Sequence, residues 1–380
     1  MTKASILIPP TYFAVSHARL LGAAHDVRIF AGAARVTDPH ALDGIELDET
    51  LPQVLPFTDR WPIRRREQVG ALLWGATSRR IRRWAPDVIH QHFAYGARAA
   101  VSAAKRARRP LAVTVHGGDA FVPLTPLRER GLRARPALFA MQREVRAVYR
   151  RADLVLAVSE YIAGIAVQGG ADPARVRVHY QGIDTDVFTP PEEPITASVR
   201  RVLFVGRLVD AKGVFDLLEA SAALVEEQPH ELVFVGDGPA RTRLESAAQA
   251  SPHTRVAGSL PSSEVRDLLR TAHVLVLPTR LNGRAREAAG LVLLEAQACG
   301  VPVIAYDSGG TAEMMNVGET GWLAPEGDVE SLQARLSESL SQTASSRADM
   351  GRRARAFVVE HRSLTASARQ LSAIYEEIRR

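Results

Sequence analysis

Two adjoining segments decide the fold: Arg286-Glu-Ala-Ala-Gly-Leu-Val-Leu-Leu-Glu-Ala-Gln-Ala-Cys-Gly300 and Pro302-Val-Ile-Ala305. They predict a loop, a short buried helix and a strand. Gly290 lets the chain turn into the helix, an apolar run follows, and Gly300 ends the helix. This order of elements is typical of a parallel sheet whose strands are joined by helices.

Two glutamates in the first segment, Glu287 and Glu295, are spaced as Glu-x7-Glu. Glu295 is expected to project from a buried helix, where a carboxylate is costly unless donors meet it, and the vicinal hydroxyls of a ribose would provide two. Glu287 precedes the helix, where free backbone N–H groups gather around an anion. The pair suits a sugar nucleotide; the alternative is two unrelated surface carboxylates.

Short apolar runs alternate with helix-length segments along both halves of the chain, as expected for parallel strands with crossover helices. The runs are 5–8, 27–30, 87–90, 111–115 and 154–158 in the first half, and 201–205, 232–235, 254–256, 274–277 and 303–305 in the second. Segment 188–194 is rich in proline and charge, which predicts a linker. We place the domain boundary near residue 190, between domains 1–189 and 190–362.

Length and composition agree with a two-domain globular enzyme. The chain has 380 residues, more than one core usually supports, with 46% hydrophobic and 24% charged residues. Its single cysteine excludes an internal disulfide framework and a cysteine-based zinc cluster. Because parallel sheets bind ligands at the carboxyl ends of their strands, two such sheets facing each other would enclose a cleft.

The second half carries a signature that closely resembles the Glu-x7-Glu signature of the family 4 retaining glycosyltransferases. The matching residues are Glu287, Gly290, Leu291, Glu295 and Cys299-Gly-Val-Pro-Val303. The resemblance runs over most of the chain. It implies the GT-B fold, with two Rossmann-like doubly wound domains facing a central cleft and a C-terminal helix, 363–380, crossing back onto the N-terminal domain. Family members usually read Glu-Gly-Phe-Gly where this chain has Glu287-Ala-Ala-Gly290, so the donor sugar stays open.

A candidate phosphate site follows the first strand of the second half, in Val205-Gly-Arg-Leu-Val-Asp-Ala-Lys-Gly213. Arg207 can fork onto phosphate oxygens while Lys212 supplies a point charge, and both could offset the charge of a departing diphosphate. The segment resembles the family's Gly-Arg-Leu-x5-Gly element. The alternative is a pair of exposed cations at a helix start.

Glycine turns after two strands complete the nucleotide site that the resemblance implies, through Gly206, Gly236 and Gly238. Val235-Gly-Asp-Gly-Pro239 is also ordinary turn chemistry, so this element is less specific. Neither turn fits Gly-x-Gly-x-x-Gly with an acidic residue about 20 positions on, which disfavours NAD binding.

Two motifs of the first half also resemble the family. Thr114-Val-His-Gly-Gly-Asp119 is similar to His-Gly-x-Asp, which implies that His116 contacts the donor sugar and that Asp119 orients it or meets the acceptor. Gln181-Gly-Ile-Asp184 begins a motif similar to Asn-Gly-Val-Asp-x3-Phe, which implies that Asp184 lies near the cleft. The first loop, 9–16, lacks the Gly-Gly element that many relatives have there.

Two further histidines, His90 and His92, have no apparent third metal ligand nearby, and we interpret them as structural or pocket-lining. The fold class that the resemblance implies needs no metal, so we predict no metal and no cofactor.

The chain is basic, with a net charge of +6, which favours anionic partners. Arg64-Arg-Arg66 and Arg79-Arg-Ile-Arg-Arg83 bracket Leu72-Leu-Trp74, a basic amphipathic stretch that could rest on an anionic membrane. The alternative is a solvated helix face. Nucleic-acid binding is disfavoured because no recognised module accompanies the charge.

The first apolar segment of the chain is too short to be the hydrophobic region of a signal peptide, and no later apolar run is long enough to span a membrane. We therefore expect a cytoplasmic protein, free or peripheral on the inner face of the membrane.

The resemblance predicts a metal-independent, retaining hexosyltransferase that uses a UDP- or GDP-sugar and a hydroxyl acceptor, lipid-linked in several relatives, in cell-surface polysaccharide or glycolipid assembly. The residues assigned to catalysis are His116, Arg207, Lys212 and Glu287. The alternatives are a catalytically silent sugar-nucleotide-binding homologue, a glycosyltransferase acting on small natural products, and a sugar-nucleotide epimerase, which would lack the Glu-x7-Glu element.

Overall fold

The computed structural model describes residues 1–8, 12–36, 39–129, 131–192, 200–281 and 286–380. The chain forms two compact units: unit 1 comprises Met1–Gln181 and Ser367–Arg380, and unit 2 comprises Gly182–Ala366. The predicted boundary near residue 190 falls inside unit 2. Pro9, Pro10 and Thr11 of the first loop, and Glu193 and Pro194 of the predicted linker, lie outside the described residues.

Unit 1 is built on a parallel sheet in the order β3-β2-β1-β4-β5-β6-β7, as far as its described residues show. The strands are β1 (Thr2–Ile8), β2 (Arg28–Val36), β3 (Glu46–Glu49), β4 (Ile89–His92), β5 (Leu111–Val115), β6 (Leu154–Ala157) and β7 (Val176–Val178). Every residue of β4, β5 and β6 is buried. Helices cover both faces of a sheet of this kind, which explains the uninterrupted apolar runs.

The helices of unit 1 lie between these strands in the sequence, with three of them between β3 and β4. They are α1 (Tyr12–Leu21), α2 (Thr50–Val54), α3 (Ile63–Leu72), α4 (Trp74–Trp84), α5 (Arg98–Ala107), α6 (Gly118–Phe121), α7 (Arg135–Arg151) and α8 (Glu160–Gln168).

Unit 2 is built on a second parallel sheet, in the order β10-β9-β8-β11-β12-β13 over its described residues. Its strands are β8 (Arg200–Val205), β9 (His230–Val235), β10 (Thr254–Gly258), β11 (Val274–Leu277), β12 (Val303–Asp307) and β13 (Gly321–Pro325). Its helices are α9 (Val214–Ala222), α10 (Arg241–Ala248), α11 (Ser262–Thr271), α12 (Leu291–Ala298), α13 (Val329–Leu340) and α14 (Ala344–Phe357). The last helix, α15 (Leu364–Arg379), begins in unit 2 and belongs to unit 1 from Ser367 onward.

Helix α15 returns to unit 1, as predicted. Its side chains Leu371 and Ile374 are buried in a core with residues of α1, β2 and β6. A hydrogen bond of 2.9 Å joins His17 Nε2 and Ser367 Oγ, and Arg177 forms a two-pronged ion pair with Glu377. These contacts tie the end of the chain to the first sheet.

The ten predicted strands are confirmed, including the edge strand β10, but β3, β7 and β13 were not predicted. All three lie at a sheet edge. Strand β3 reads Glu-Leu-Asp-Glu and β7 reads Val-Arg-Val. An edge strand has a neighbour on one side alone and does not require a long apolar run, so it is harder to predict from the sequence.

Candidate active site

The predicted phosphate-binding residues lie where β8 ends. Gly206 and Arg207 follow the strand, and Lys212 closes a short turn, Asp210–Lys212. The Arg207 side chain is exposed and has no hydrogen-bond or ion-pair partner among the described residues. Its five donors are therefore available to an anion.

Gly213 ends that turn at φ 64°. A Cβ atom there would lie 2.0 Å from the carbonyl oxygen of Pro278, just beyond β11. Only glycine permits this contact between the two backbones. The loops after β8 and β11 are thus held together, which places Lys212 against the second loop.

Gly236 and Gly238 follow β9 and pack against the β8 loop. Gly236 has φ 141°, and a Cβ atom on it would lie 1.8 Å from the Gly206 carbonyl oxygen. A Cβ atom on Gly238 would lie 2.3 Å from the Leu208 carbonyl oxygen. These glycines are required for the packing of two turns, and nucleotide contact by them stays a prediction.

Glu287 and Lys212, far apart in sequence, form an ion pair in unit 2. The Glu287 carboxylate also accepts a hydrogen bond of 3.0 Å from Thr279 Oγ1, and only 13% of its side chain is exposed. The Glu287 carbonyl accepts the N–H of Gly310 at 2.9 Å. Side chain and backbone of Glu287 are both fixed. The sequence reasoning assigned roles to Lys212 and Glu287 but did not foresee their contact.

Helix α12 begins at Leu291, with Gly290 at φ 80° as its N-cap, and no described side chain caps its first N–H groups. A Cβ atom on Gly290 would meet Leu277, Leu293 and Glu287 at 3.1–3.4 Å, so the turn is tight. The open amide groups at this helix start can bind an anion or a hydroxyl oxygen.

Glu295 lies on α12 in a recess that solvent reaches only in part. No described residue donates a hydrogen bond to its carboxylate or forms an ion pair with it. Burial raises the pKa of Glu295 to about 7. A recessed carboxylate without donors is costly to ionise, and ligand hydroxyls would relieve that cost.

Glu326, just after β13, was missed by the sequence reasoning. Its two carboxylate oxygens accept the N–H of Leu281 and the Nε–H of Arg286, each at 2.8 Å. No signal marked Glu326 in the sequence, because the strand that it follows, β13, was itself not predicted.

In unit 1, Asp119 is fully buried at the end of β5. Its Oδ1 accepts the N–H groups of His116 and Gly117 at 2.9 and 3.2 Å, and its Oδ2 accepts that of Ala94 at 2.8 Å. Burial raises the pKa of Asp119, while these hydrogen bonds act in the opposite direction. Of the two predicted alternatives, the geometry favours an orienting role over contact with an acceptor.

His116 lies between two partners. Gln181 Nε2 donates to His116 Nδ1 at 2.7 Å, so Nε2 of His116 carries its proton toward His92 Nδ1, 3.2 Å away. Burial, and then the charge of Lys3, hold the pKa of His116 well below its usual range. The imidazole is neutral near pH 7 and fixed in one tautomer.

His90 is bonded to Thr114 Oγ1 at 2.7 Å and to the Tyr375 hydroxyl at 2.5 Å, which agrees with a structural role. Within the described ranges, no group of three or more histidine, cysteine or acidic side chains could hold a metal ion. Asp184 is exposed, and its Oδ1 accepts the N–H groups of Asp186 and Val187 in its own turn, at 3.0 and 3.2 Å.

The basic stretch 64–83 forms two helices, α3 and α4, with a break at Leu73. Arg66 pairs with Glu49 and Arg80 pairs with Asp48, so part of the charge is already neutralised. At the corner between the helices, Leu72 is 77% exposed and Trp74 is 39% exposed. The structure therefore replaces a continuous amphipathic face with an apolar corner between two basic helices.

Two family models match consecutive parts of the chain. Glycosyltransferase Family 4 matches residues 12–187, and Glycosyl transferases group 1 matches residues 189–357. The putative teichuronic acid biosynthesis glycosyltransferase TuaC of Bacillus subtilis is 30% identical over 358 residues, covering 85% of this chain and 83% of its own. The chain belongs to the family 4 glycosyltransferases.

Other proteins resemble this glycosyltransferase over much of its length. The putative colanic acid biosynthesis glycosyltransferase WcaL of Salmonella typhimurium is 29% identical over 283 residues, covering 69% of this chain and 70% of its own. A glycosyltransferase structure from Rickettsia africae has a TM-score of 0.74 at 18% identity, covering 99% and 98% of the two chains. Anabaena HepE in complex with UDP has a TM-score of 0.75 at 19% identity, covering 99% and 100%.

These structural likenesses, with two parallel Rossmann-like sheets, show that the glycosyltransferase has the predicted GT-B fold. In the part of the chain that the structure describes, no helix has both the length and the apolar character needed to cross a membrane.

Proposed function

We propose that this glycosyltransferase moves a hexosyl residue from a nucleoside diphosphate sugar to a hydroxyl acceptor, with retention at the transferred carbon. The arrangement at the carboxyl edge of the unit 2 sheet supports this proposal. Arg207 follows β8 and Glu295 lies on α12, neither with a hydrogen-bond or ion-pair partner among the described residues, and Lys212 pairs with Glu287. Available groups of both signs suit a ligand that carries phosphates as well as hydroxyls.

Each part of the donor has a proposed partner. Arg207 and Lys212 bind the diphosphate and stabilise the charge that develops as it leaves. Glu295 accepts the ribose hydroxyls, and these donors favour its charged form. Glu287 and the amide groups of Gly290 and Leu291 position the transferred sugar. In unit 1, His116 is proposed to contact that sugar.

The proposed reaction forms a bond between the acceptor oxygen and the anomeric carbon and breaks the bond from that carbon to the diphosphate oxygen. Both events occur on one face of the sugar, which retains configuration. Lys212 and Thr279 already hold the Glu287 carboxylate, so we assign the acceptor proton to an oxygen of the departing phosphate. Arg207 and Lys212 act in place of a metal ion, so transfer in EDTA should equal transfer in Mg²⁺.

The names of relatives support a role in cell-surface polysaccharide assembly, since TuaC is named for teichuronic acid and WcaL for colanic acid. Structures of Anabaena HepE contain UDP and UDP-glucose, which supports a uridine nucleotide over GDP as the first donor to test.

We also propose a cytoplasmic location with peripheral contact to an anionic membrane, which would bring a lipid-linked acceptor within reach. Leu72 and Trp74 would enter the interface, and the exposed Arg64, Arg79 and Arg83 would meet its charge. Flotation with vesicles of anionic phospholipid should carry the wild type upward and leave a Leu72→Ser, Trp74→Ser variant behind. Equal flotation of both would contradict this contact.

The donor site is tested by calorimetry of the purified protein with UDP, UDP-glucose, GDP and GDP-mannose. Wild type should bind one base selectively, and Arg207→Ala should lose that binding. Arg243→Ala is the matched control, because Arg243 is an exposed cation near the same loop, paired with Asp210. Absence of binding to all four would refute the donor site. Binding without transfer to any hydroxyl acceptor would favour the catalytically silent homologue.

A further inference from the structure

Glu326 contacts two segments near Glu287, one that ends at Leu281 and one that begins at Arg286. Its Oε1 accepts the backbone N–H of Leu281 and its Oε2 accepts Nε–H of Arg286, both at 2.8 Å. Only 21% of the Glu326 side chain is exposed. Leu281 thus occupies one oxygen of the carboxylate and Arg286 the other.

Both partners of Glu326 are close in sequence to groups that hold the Glu287 carboxylate. Leu281 lies two positions after Thr279, whose hydroxyl donates to Glu287 Oε2 at 3.0 Å. Arg286 directly precedes Glu287. Removing the Glu326 carboxylate would release both segments at once.

A second anchor holds Glu287 from the other side. Its carbonyl oxygen accepts the Gly310 N–H at 2.9 Å, and a Cβ atom on Gly309 would lie 2.2 Å from that oxygen. With the backbone held at Glu287 and the preceding residue held by Glu326, the direction of the Glu287 side chain is set.

We propose, on the basis of the proposed function, that Glu326 is a positioning residue that sets where Glu287 meets the transferred sugar. Burial alone would raise the pKa of Glu326, but the bonds from Arg286 and Leu281 lower it, so the carboxylate stays charged near neutral pH. Glu326 itself does not touch the substrate in this role.

The role predicts a selective defect. A nucleoside diphosphate without its sugar does not need Glu287, so its affinity should survive the loss of Glu326. A sugar nucleotide does need it, and a displacement of about 1 Å at a reacting centre can lower the rate by about 100-fold. Glu326→Ala should thus lower kcat/KM by about 10- to 100-fold while the affinity for UDP changes by less than about threefold.

The experiment compares wild type, Glu326→Ala and Glu326→Gln for kcat, KM, the Kd of UDP and of UDP-glucose, and Tm; GDP and GDP-mannose replace these ligands if the wild type selects guanine. Glu326→Gln keeps an acceptor oxygen and should recover part of the activity. Glu338→Ala is the control, because Glu338 accepts from Trp322 Nε1 at 2.8 Å and from Arg335 at 2.6 Å, elsewhere in unit 2.

Arg286→Ala should add little to the activity defect of Glu326→Ala, because the Arg286–Glu326 ion pair is already absent in that variant. Parallel losses of UDP and UDP-glucose affinity, or an equal defect in Glu338→Ala, would show a general structural role and overturn the proposal. If the wild type transfers sugar and Glu326→Ala matches it, only the role of Glu326 fails. If the wild type binds no nucleotide, the proposed function fails as well.

Discussion

The carboxyl edges of the two sheets share a topology but differ in how their polar groups are satisfied. In unit 1, Asp119 accepts three backbone N–H groups, and His116 is bonded to Gln181 and His92. In unit 2, Arg207 and Glu295 have no such partners among the described residues. Polar groups whose hydrogen bonds are all made within the protein stabilise the fold. A recessed charged group without such bonds lowers stability but can bind a ligand. Unmet hydrogen-bonding capacity thus distinguishes the candidate donor site.

The largest predicted difference between the units is their response to acid. Burial lowers the pKa of five histidines in unit 1 and of three in unit 2, and it raises the pKa of Asp119 and Glu144 in unit 1 and of Glu295 in unit 2. The unit 1 histidines are His17, His90, His92, His116 and His179, and those of unit 2 are His230, His253 and His273.

A histidine with a depressed pKa stabilises the fold above about pH 6.5, and this stability is lost as pH falls below that value, because the unfolded chain then binds more protons. Glu295 has the opposite effect between about pH 7 and its unfolded value, since the folded state holds the extra proton. Between pH 7.5 and 5.5 we expect unit 1 to lose about 1 kcal/mol per buried histidine, several kcal/mol in all, and unit 2 to lose less.

Tryptophan fluorescence during urea unfolding measures this difference, since Trp61, Trp74 and Trp84 lie in unit 1 and Trp322 in unit 2. A Trp322→Phe variant reports on unit 1, and a variant with the other three tryptophans replaced by Phe reports on unit 2. Equal losses of unfolding free energy in the two units would show that the five buried histidines of unit 1 do not determine its stability in acid.

Removing Asp119 should destabilise unit 1 strongly. Asp119→Ala leaves three buried N–H groups without an acceptor, so the free energy of unfolding should fall by about 3–5 kcal/mol. Asp153→Ala is the matched control, because Asp153 also accepts a backbone N–H, that of Leu111 at 2.8 Å, but is 44% exposed. Comparable losses in the two variants, measured by urea unfolding, would contradict a framing role for Asp119.

Removing Lys212 should affect the reaction more than the fold. We expect Lys212→Ala to lower the transfer rate by about 10²–10³-fold, or about 3–4 kcal/mol of transition-state stabilisation, because the departing diphosphate loses a cation. Steady-state assays with excess acceptor measure this, and Tm reports on folding. Arg243→Ala should keep the wild-type rate. A rate loss explained by a lower Tm would place Lys212 among the structural residues.

Glu295→Gln should stabilise unit 2 while it weakens nucleotide binding. At pH 8 the buried charge disappears, so the free energy of unfolding should rise by about 1–3 kcal/mol, and at pH 5 the gain should vanish because the native carboxyl is already protonated. Glu319→Gln, at an exposed position, is the control. Unchanged nucleotide affinity, measured by calorimetry at pH 8, would remove Glu295 from the proposed donor site.

Much of the fold could be predicted because interior strands of a parallel sheet are buried on both faces and so require uninterrupted apolar runs. Of the four edge strands that the structure describes, only β10 was predicted, because a strand with a neighbour on one side alone does not require an uninterrupted apolar run. Motif and spacing selected Arg207, Lys212, Glu287 and Glu295 as candidate site residues, and their roles stay predictions. Their partners could not be predicted, since Thr279 and Glu326 lie in loops without a recognisable pattern.

By itself, the sequence determined the α/β class, the two halves and the loops that carry the candidate site, because periodicity, glycine positions and strand ends are local properties. Only the tertiary structure decided that Lys212 pairs with Glu287, that Asp119 accepts backbone N–H groups on both oxygens, and that no described residue donates to Glu295. It also decided which arginines of stretch 64–83 remain available, since Arg66 and Arg80 are paired. These outcomes depend on contacts between residues distant in sequence, which packing brings together and no local pattern encodes.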